Sequence, residues 1–161
     1  MTIAECIDEV MEAVQAATAG LGFEPPDDSG GDPVGLHYYR HQIPRSANDS
    51  RTDPFPYVIV RTTEGEASRD RRTLSGFDTV ILIGVRKQDL ESTAYLSAAE
   101  LLQRLIIYFS EHPSTEHFFL SGNTIPWSLT GDEQDWPYAG GGILLHWEAT
   151  PVNHFEEDDY A

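Results

Sequence analysis

Two groups of residues have types and spacings that suit metal binding. His37 and His41 are four residues apart, as zinc-binding histidines on one helix are, and Asp132, Glu133 and Asp135 form a carboxylate cluster that could suit calcium. The histidines lie in a segment that does not look helical and lacks the glutamate of a zincin motif. The carboxylates have neither EF-hand spacing nor its bidentate glutamate. We therefore expect no metal site and no cofactor.

The sequence also lacks a recognisable catalytic motif. It has no Gly-x-Ser-x-Gly elbow. The run Gly140–Gly142 precedes an apolar segment typical of a strand, whereas phosphate-binding glycines precede a helix, so we interpret the run as a flexible turn or bulge. Cys6 is the only cysteine and has no nearby cation in sequence to lower its pKa, which favours a packing role. We expect a protein that is not an enzyme.

The best local candidate for function is a group of three arginines, Arg69, Arg71 and Arg72. They lie in the polar segment 62–76, between two segments with strand character. Guanidinium groups make bidentate contacts with carboxylates, and the chain has 27 acidic residues of its own. The alternative is a mobile loop that charge keeps soluble. We predict that these arginines contact a partner or another subunit.

The charge of the chain is strongly negative and unevenly distributed. The formal net charge is -17, and all 10 basic residues lie between Arg40 and Arg104. If this partition survives folding, one surface is acidic and another holds the arginines; the alternative is that the arginines are spread around the fold. Such a charge opposes sequence-specific or non-specific binding to nucleic acid. Lys87 is the only lysine, a composition that resembles proteins of halophilic hosts, although a GC-rich genome also favours arginine.

Length and composition indicate one domain. At 161 residues with 40% hydrophobic content, the chain can build one core, which we assign to residues 1–155. An irregular excursion rich in Pro, Gly and Asp covers about 25–55, and residues 156–161 form an acidic tail. The N-terminus has no positive region, and the longest apolar stretch is interrupted by Gln103 and Arg104. We expect neither secretion nor a membrane span.

Periodic patterns predict two helices and a mainly antiparallel sheet. Thr2 and Glu5 form a capping box before an amphipathic helix with apolar residues at Ile3, Ile7, Val10, Val14 and Ala17. A core helix follows Ala94, with an apolar stripe at Tyr95, Ala98, Leu101, Leu102, Leu105, Ile106 and Phe109. Strands are predicted at 36–39, 57–61, 77–85, 117–121, 125–130 and 142–150.

These elements predict an α+β fold in which both helices pack on one face of the sheet. The strands at 57–61 and 77–85 should pair as an antiparallel hairpin, with 62–76 forming a long arm between them. Trp127 and Trp147 lie in predicted strands, and we expect both in the core.

The order of elements resembles the tail terminator (tail completion) proteins of long-tailed bacteriophages and archaeal tailed viruses. The segments that carry the likeness are Pro56–Arg61, Thr79–Val85, Leu96–Phe109 and Gly142–Glu148. The likeness covers roughly residues 56–152. It is one of pattern, because the family has no invariant signature.

The resemblance implies a structural virion protein without catalysis. Such a subunit forms a ring, usually hexameric, that caps the tail tube, stops its polymerisation and joins the tail to the neck. Its expected partners are other copies of itself, the tail tube protein and a neck or head-completion protein, with DNA passing through the ring. Its expected location is the virion, after assembly in the host cytoplasm. The sequence leaves the ring number and the host open.

Two other functions remain open from the sequence. An acidic immunity or inhibitor protein would bind a basic nuclease through its carboxylates and would form no ring. A different neck or tail component would share the virion setting.

Overall fold

The structure, a computed structural model, describes residues 2–23, 31–44, 54–88, 91, 93–132 and 134–150. It confirms the α+β fold: two helices pack on one face of a six-stranded, mostly antiparallel sheet. The elements are α1 (Ile3–Ala17), β1 (His37–Arg40), β2 (Tyr57–Ser68), β3 (Thr73–Arg86), α2 (Thr93–Glu111), β4 (Phe118–Leu120), β5 (Trp127–Thr130) and β6 (Tyr138–Ala149). Much of the predicted excursion at 25–55, and the whole tail at 156–161, lie outside the described residues.

Helix α1 begins with the predicted capping box. The Thr2 backbone N–H donates to Glu5 Oε2 at 2.6 Å, and the Glu5 N–H donates to Thr2 Oγ1 at 3.2 Å. These two bonds satisfy amide groups that a helix start otherwise leaves unpaired. The buried face is rotated relative to the predicted stripe, because Ile3 is 57% exposed whereas Cys6 and Met11 are buried.

Helix α2 supplies the larger part of the helical layer. Its buried residues are Ala94, Ala98, Leu101, Leu102, Leu105 and Phe109, which confirms most of the predicted stripe. Tyr95 is instead 43% exposed, at the margin of the buried face. Among the described residues, no helix is both long and apolar enough to span a bilayer.

Strand β6 holds the sheet together. The strand order is β1-β2-β3-β6-β4, and β5 also pairs with β6. One edge of β6 pairs with β3 from Gly76↔Glu148 to Arg86↔Tyr138, while β5 and β4 share its other edge. Strand β1 is parallel to β2, and all the other pairings between strands are antiparallel.

The predicted hairpin of β2 and β3 is present, but the long arm is not confirmed. Residues 62–68 and 73–76 continue the two strands, so the connection shrinks to a turn at 69–72. Arg72 closes this turn with a left-handed backbone φ of 54°. Pairing between the strands gives hydrogen-bond partners to the backbone N–H and C=O groups of this segment, although its polar side chains are typical of a loop. Register shifts at Thr62/Glu64 and Glu66/Ala67 bend the distal hairpin.

The interpretation of Gly140–Gly142 as a turn or bulge is wrong. All three glycines lie within β6, between β3 and β5. A Cβ atom on Gly140 would lie 2.7 Å from the Ile83 carbonyl oxygen, and one on Gly141 would collide with the Ser128 carbonyl oxygen. The glycines therefore allow neighbouring backbones to approach β6 closely.

The two tryptophans expected in the core differ in burial. Trp147 is 2% exposed, stacks with Phe77 at a centroid distance of 6.3 Å and meets Phe109 edge-on at 5.9 Å. Trp127 is 61% exposed, so the prediction that it belongs to the core is wrong. It begins the short strand β5, which pairs only with β6 and leaves the ring at the rim of the sheet.

Candidate assembly surface

The three predicted arginines lie together at the tip of the β2–β3 hairpin. We call residues 69–72 the hairpin tip. Arg69, Arg71 and Arg72 are all exposed. The Arg71 backbone N–H donates to Ser68 Oγ at 3.3 Å, which holds the turn. None of the three guanidinium groups has a hydrogen bond or ion pair with another residue that the structure describes. The tip therefore presents three positive charges to solvent, together with the exposed carboxylate of Asp70.

The hairpin tip is attached to ordered structure. Ser68 pairs with Thr73 at the base of the turn. A shallow depression beside the tip is lined by Thr2 and Ile3 from the start of α1 and by Ala67 and Leu74 from the hairpin. The distal hairpin thus lies beside the N-terminus of α1, and the arginines extend from a supported strand pair.

The face of the sheet opposite the helices, which we call the open sheet face, is acidic at the same end. Phe77 and Thr79 are buried on the helix side, so Asp78 between them points to the other side. Glu64 pairs with Asp78 across β2 and β3, and Asp78 pairs with His146 across β3 and β6. The next row on this face contains Glu66, Gly76 and Glu148. We call Glu64, Glu66, Asp78 and Glu148 the acidic strip.

The acidic strip places like charges side by side. Glu64 lies directly opposite Asp78, an arrangement that destabilises a strand pair. His146 Nδ1 lies 2.6 Å from Asp78 Oδ1, so the imidazole contacts one of these two carboxylates. Glu64, Glu66 and Glu148 are exposed and have no basic partner among the described residues. The strip is therefore a negatively charged surface with unused hydrogen-bond acceptors.

The centre of the open sheet face is mainly apolar and contains one basic residue, Arg61, which pairs with Val80. Ile59 pairs with Leu82, and Val80 pairs with Leu144. Val80, Leu82 and Leu144 are partly exposed, whereas Ile59 is buried. This centre lies between the acidic strip at one end and aromatic rings at the other.

The aromatic end of the open sheet face consists of three rings. Phe55 lies 5.1 Å from Tyr57 and 5.2 Å from Tyr138 between ring centroids. The Tyr57 ring occupies the space that a side chain on Gly84 would fill. Burial raises the pKa of the Tyr57 hydroxyl. Along the strands, the face therefore changes from aromatic to aliphatic to acidic.

Several other arginines contact the body of the protein. Arg40 Nη2 lies 2.6 Å from Asp8 Oδ1. Arg61 Nε donates to the His41 carbonyl oxygen at 2.8 Å, and Arg104 Nε donates to that of Ala17 at 3.0 Å. These contacts distinguish them from the arginines of the hairpin tip.

The charge partition predicted that the basic residues share one surface, but those that the structure describes do not. Arg72 directly precedes β3, whereas Arg86 ends that strand and Lys87 follows it. A strand of this length separates its ends by roughly 45 Å. The described basic residues are thus spread along the molecule, in agreement with the alternative prediction.

The residues considered for metal or thiol chemistry lie apart from the hairpin tip. His37 lies on β1 and stacks on Tyr39, while His41 follows β1 with a φ of 67°. Within the described residues, no group of three or more metal-binding side chains occurs, and Glu133 lies outside them. Cys6 is fully buried, and burial raises its pKa to about 11. Its place in the core agrees with the predicted packing role.

The acidic strip was not predicted from the sequence. The alternation of Glu64 and Glu66 is the signal that could have revealed it, because residues two apart on a strand share a face. The polarity of 62–76 predicts an arm rather than a strand, and an arm has no alternation of faces. Asp78 and Glu148 join the strip only through strand pairing.

No protein-family model and no curated protein matches this sequence.

Proposed function

We propose that this protein is a structural component of a virion, a tail terminator. It forms a homo-oligomeric ring, expected to be hexameric, that caps the tail tube, stops its polymerisation and joins the tail to the neck. The observation that carries this proposal is the hairpin tip, whose three exposed arginines have no carboxylate partner among the described residues. The element order of helix, hairpin, core helix and closing strands, which suggested the family, supports it further.

The hairpin tip suits contact between proteins. Arginine is only weakly hydrated, and its planar group forms paired hydrogen bonds with carboxylates, so an interface can bury it at lower cost than lysine. Another copy of this acidic chain can supply those carboxylates, as can an acidic tail tube protein. A cyclic ring requires two different complementary patches on each subunit, and the hairpin tip provides one of them.

The first test replaces Arg69, Arg71 and Arg72 with alanine. We expect weaker ring formation or weaker docking on tail tubes, because the change removes every positive charge of the hairpin tip. Light scattering gives the mass of the assembly across about 0.1 to 3 M salt, and negative-stain images show whether rings or capped tubes form.

A matched control separates local effects from net charge. Replacing Gln15, Gln103 and Gln134 with glutamate makes the same change in net charge at exposed positions away from the hairpin tip. We expect this control to assemble like the wild type. Unaltered assembly of the triple-alanine protein would show that the hairpin tip is not a contact. A wild-type protein that stays monomeric and ignores tubes at every salt concentration would contradict the proposed function itself.

The acidic strip favours a second candidate, an inhibitor of a basic nuclease. Four carboxylates on one exposed face match the surface that such an inhibitor needs. The two candidates differ in oligomeric state and in binding partner. The inhibitor is a monomer or dimer that binds its nuclease tightly and does not bind tail tubes. Binding to an isolated neck in preference to the tube end would instead indicate another neck or tail component.

A further inference from the structure

We infer that the open sheet face is a docking surface for a second copy of this chain, and that the hairpin tip of that copy lies on the acidic strip. This inference rests on the proposed function, because it requires the protein to self-assemble. It adds the identity of the two surfaces that meet.

No helix or strand that the structure describes lies over the open sheet face, since both helices pack on the opposite side. Its centre exposes part of Val80, Leu82 and Leu144, and the acidic strip borders this centre. The opposed carboxylates of Glu64 and Asp78 repel each other in the isolated subunit. An arginine from outside would turn this repulsion into attraction.

The hairpin tip of another copy has the matching charge and width. It joins two strands, whose axes are about 4.8 Å apart, and carries three guanidinium groups on four residues. The strip spans three neighbouring strands, β2, β3 and β6, and is therefore about 10 Å wide. A two-stranded tip is thus narrow enough to lie across a three-stranded strip.

A subunit cannot make this contact with its own strip. The hairpin tip continues β2 and β3 beyond Glu66 and Gly76, in the direction of the strands, whereas the strip faces perpendicular to the sheet. The three arginines accordingly have no partner in their own subunit among the residues described. The complementary surfaces can pair only between copies.

The experiment uses two proteins with reversed charges. One carries Arg69→Glu, Arg71→Glu and Arg72→Glu at the hairpin tip. The other carries Glu64→Arg, Glu66→Arg and Glu148→Arg on the strip, and keeps the Asp78–His146 pair intact. In each protein alone, the tip and the strip carry net charges of the same sign, so we expect it to need at least about tenfold more protein than the wild type to assemble.

The mixture of the two proteins should assemble again. The acidic tip of the first fits the basic strip of the second, and the basic tip of the second fits the acidic strip of the first. We therefore expect mixed assemblies with equal numbers of both proteins, which native mass spectrometry of differently tagged chains can count. A merely structural role for these residues does not predict rescue by mixing.

Controls keep the test decisive. Circular dichroism and thermal unfolding establish that each protein folds, and the single changes Arg71→Glu and Glu66→Arg replace the triple variants if either does not. A protein with Glu12→Arg, Glu100→Arg and Glu111→Arg has the same charge change at exposed positions on the helices, and should assemble normally.

The outcomes distinguish the inference from the proposed function. Assembly of the wild type together with normal assembly of either reversed protein, or with no rescue in the mixture, overturns the inference alone. A wild type that never assembles, with or without tail tubes, overturns both. Separate loss and joint rescue establish the contact.

Discussion

Cys6 shows how its surroundings decide what a single residue can do. Its side chain is fully buried, and burial raises its pKa to about 11 because the charged thiolate loses its hydration. The thiolate is the reactive form of cysteine, and the folded protein both suppresses it and shields it from reagents.

We predict that a thiol reagent modifies the folded protein slowly at pH 8 and quickly in urea. Spectrophotometric titration with a disulfide reagent measures both rates. A Gln103→Cys variant is a suitable control, since position 103 is exposed on α2 and should give one fast and one slow thiol. Rapid modification of Cys6 in the folded wild type would contradict its burial.

The arginines of the hairpin tip show which properties of a site can be predicted from residue patterns and which cannot. Their position between two strands was predictable from the sequence, because local polarity marks a turn. Their lack of partners was not, since it depends on where the strands place the carboxylates of distant segments. The acidic strip was missed for the same reason.

The elements whose signals are local were predicted best. The capping box and the start of α1 follow from two residues three apart, and most of the buried stripe of α2 follows from its own periodicity. The prediction of a turn or bulge at the glycine run is wrong because the role of these glycines depends on β3 and β5, which lie on either side of them. The exposure of Trp127 likewise depends on β5 being an edge strand, which its own residues do not reveal.

For α1, we predict that Thr2→Ala lowers the free energy of unfolding by about 1 kcal/mol, because it removes the acceptor of the Glu5 N–H. Urea unfolding followed by circular dichroism measures the change. Replacing the exposed Thr124, which lies outside every helix and strand, with alanine provides a control that should have little effect. Equal stability of Thr2→Ala and the wild type would show that the cap contributes nothing.

The capping box should also respond to pH. Its hydrogen bonds with Thr2 lower the pKa of Glu5 below the ordinary value of 4.5. A depressed pKa means that the stabilisation is present above pH 4.5 and is lost as the pH falls through the lower, folded-state value. The stability difference between wild type and Glu5→Gln should therefore shrink in acid, and a difference that grows in acid would contradict this assignment.

For β6, we predict that Gly141→Ala destabilises the fold by about 1–3 kcal/mol, because the added Cβ atom would collide with the Ser128 carbonyl oxygen and push β5 away. Gly35→Ala is a matched control, since a Cβ atom at Gly35 meets no atom within 4 Å. Thermal unfolding of both variants measures the contrast. Equal melting temperatures would indicate that β5 can move away from β6 at no cost.

The charge of the whole molecule should govern its dependence on salt. At about 3 M NaCl, electrostatic interactions are screened within a few ångströms, so the mutual repulsion of an excess of 17 negative charges largely disappears. We predict that the free energy of unfolding, measured with urea, increases from about 0.1 to 3 M NaCl. A variant in which Glu12, Glu100 and Glu111 are replaced with glutamine should show a smaller increase. Stability that falls with salt would indicate that attractive ion pairs outweigh the repulsion.

The place of β6 in the sheet has a consequence for how the protein is made. β6 is the last of the described strands along the chain, yet it lies between β3 and the pair β4 and β5. While a ribosome is still synthesising the chain, β3 has an unpaired edge, and Trp147 has not yet joined Phe77 and Phe109. The core can therefore close only after residues 138–149 leave the exit tunnel. A chain that has not been synthesised past residue 149 therefore lacks the complete open sheet face.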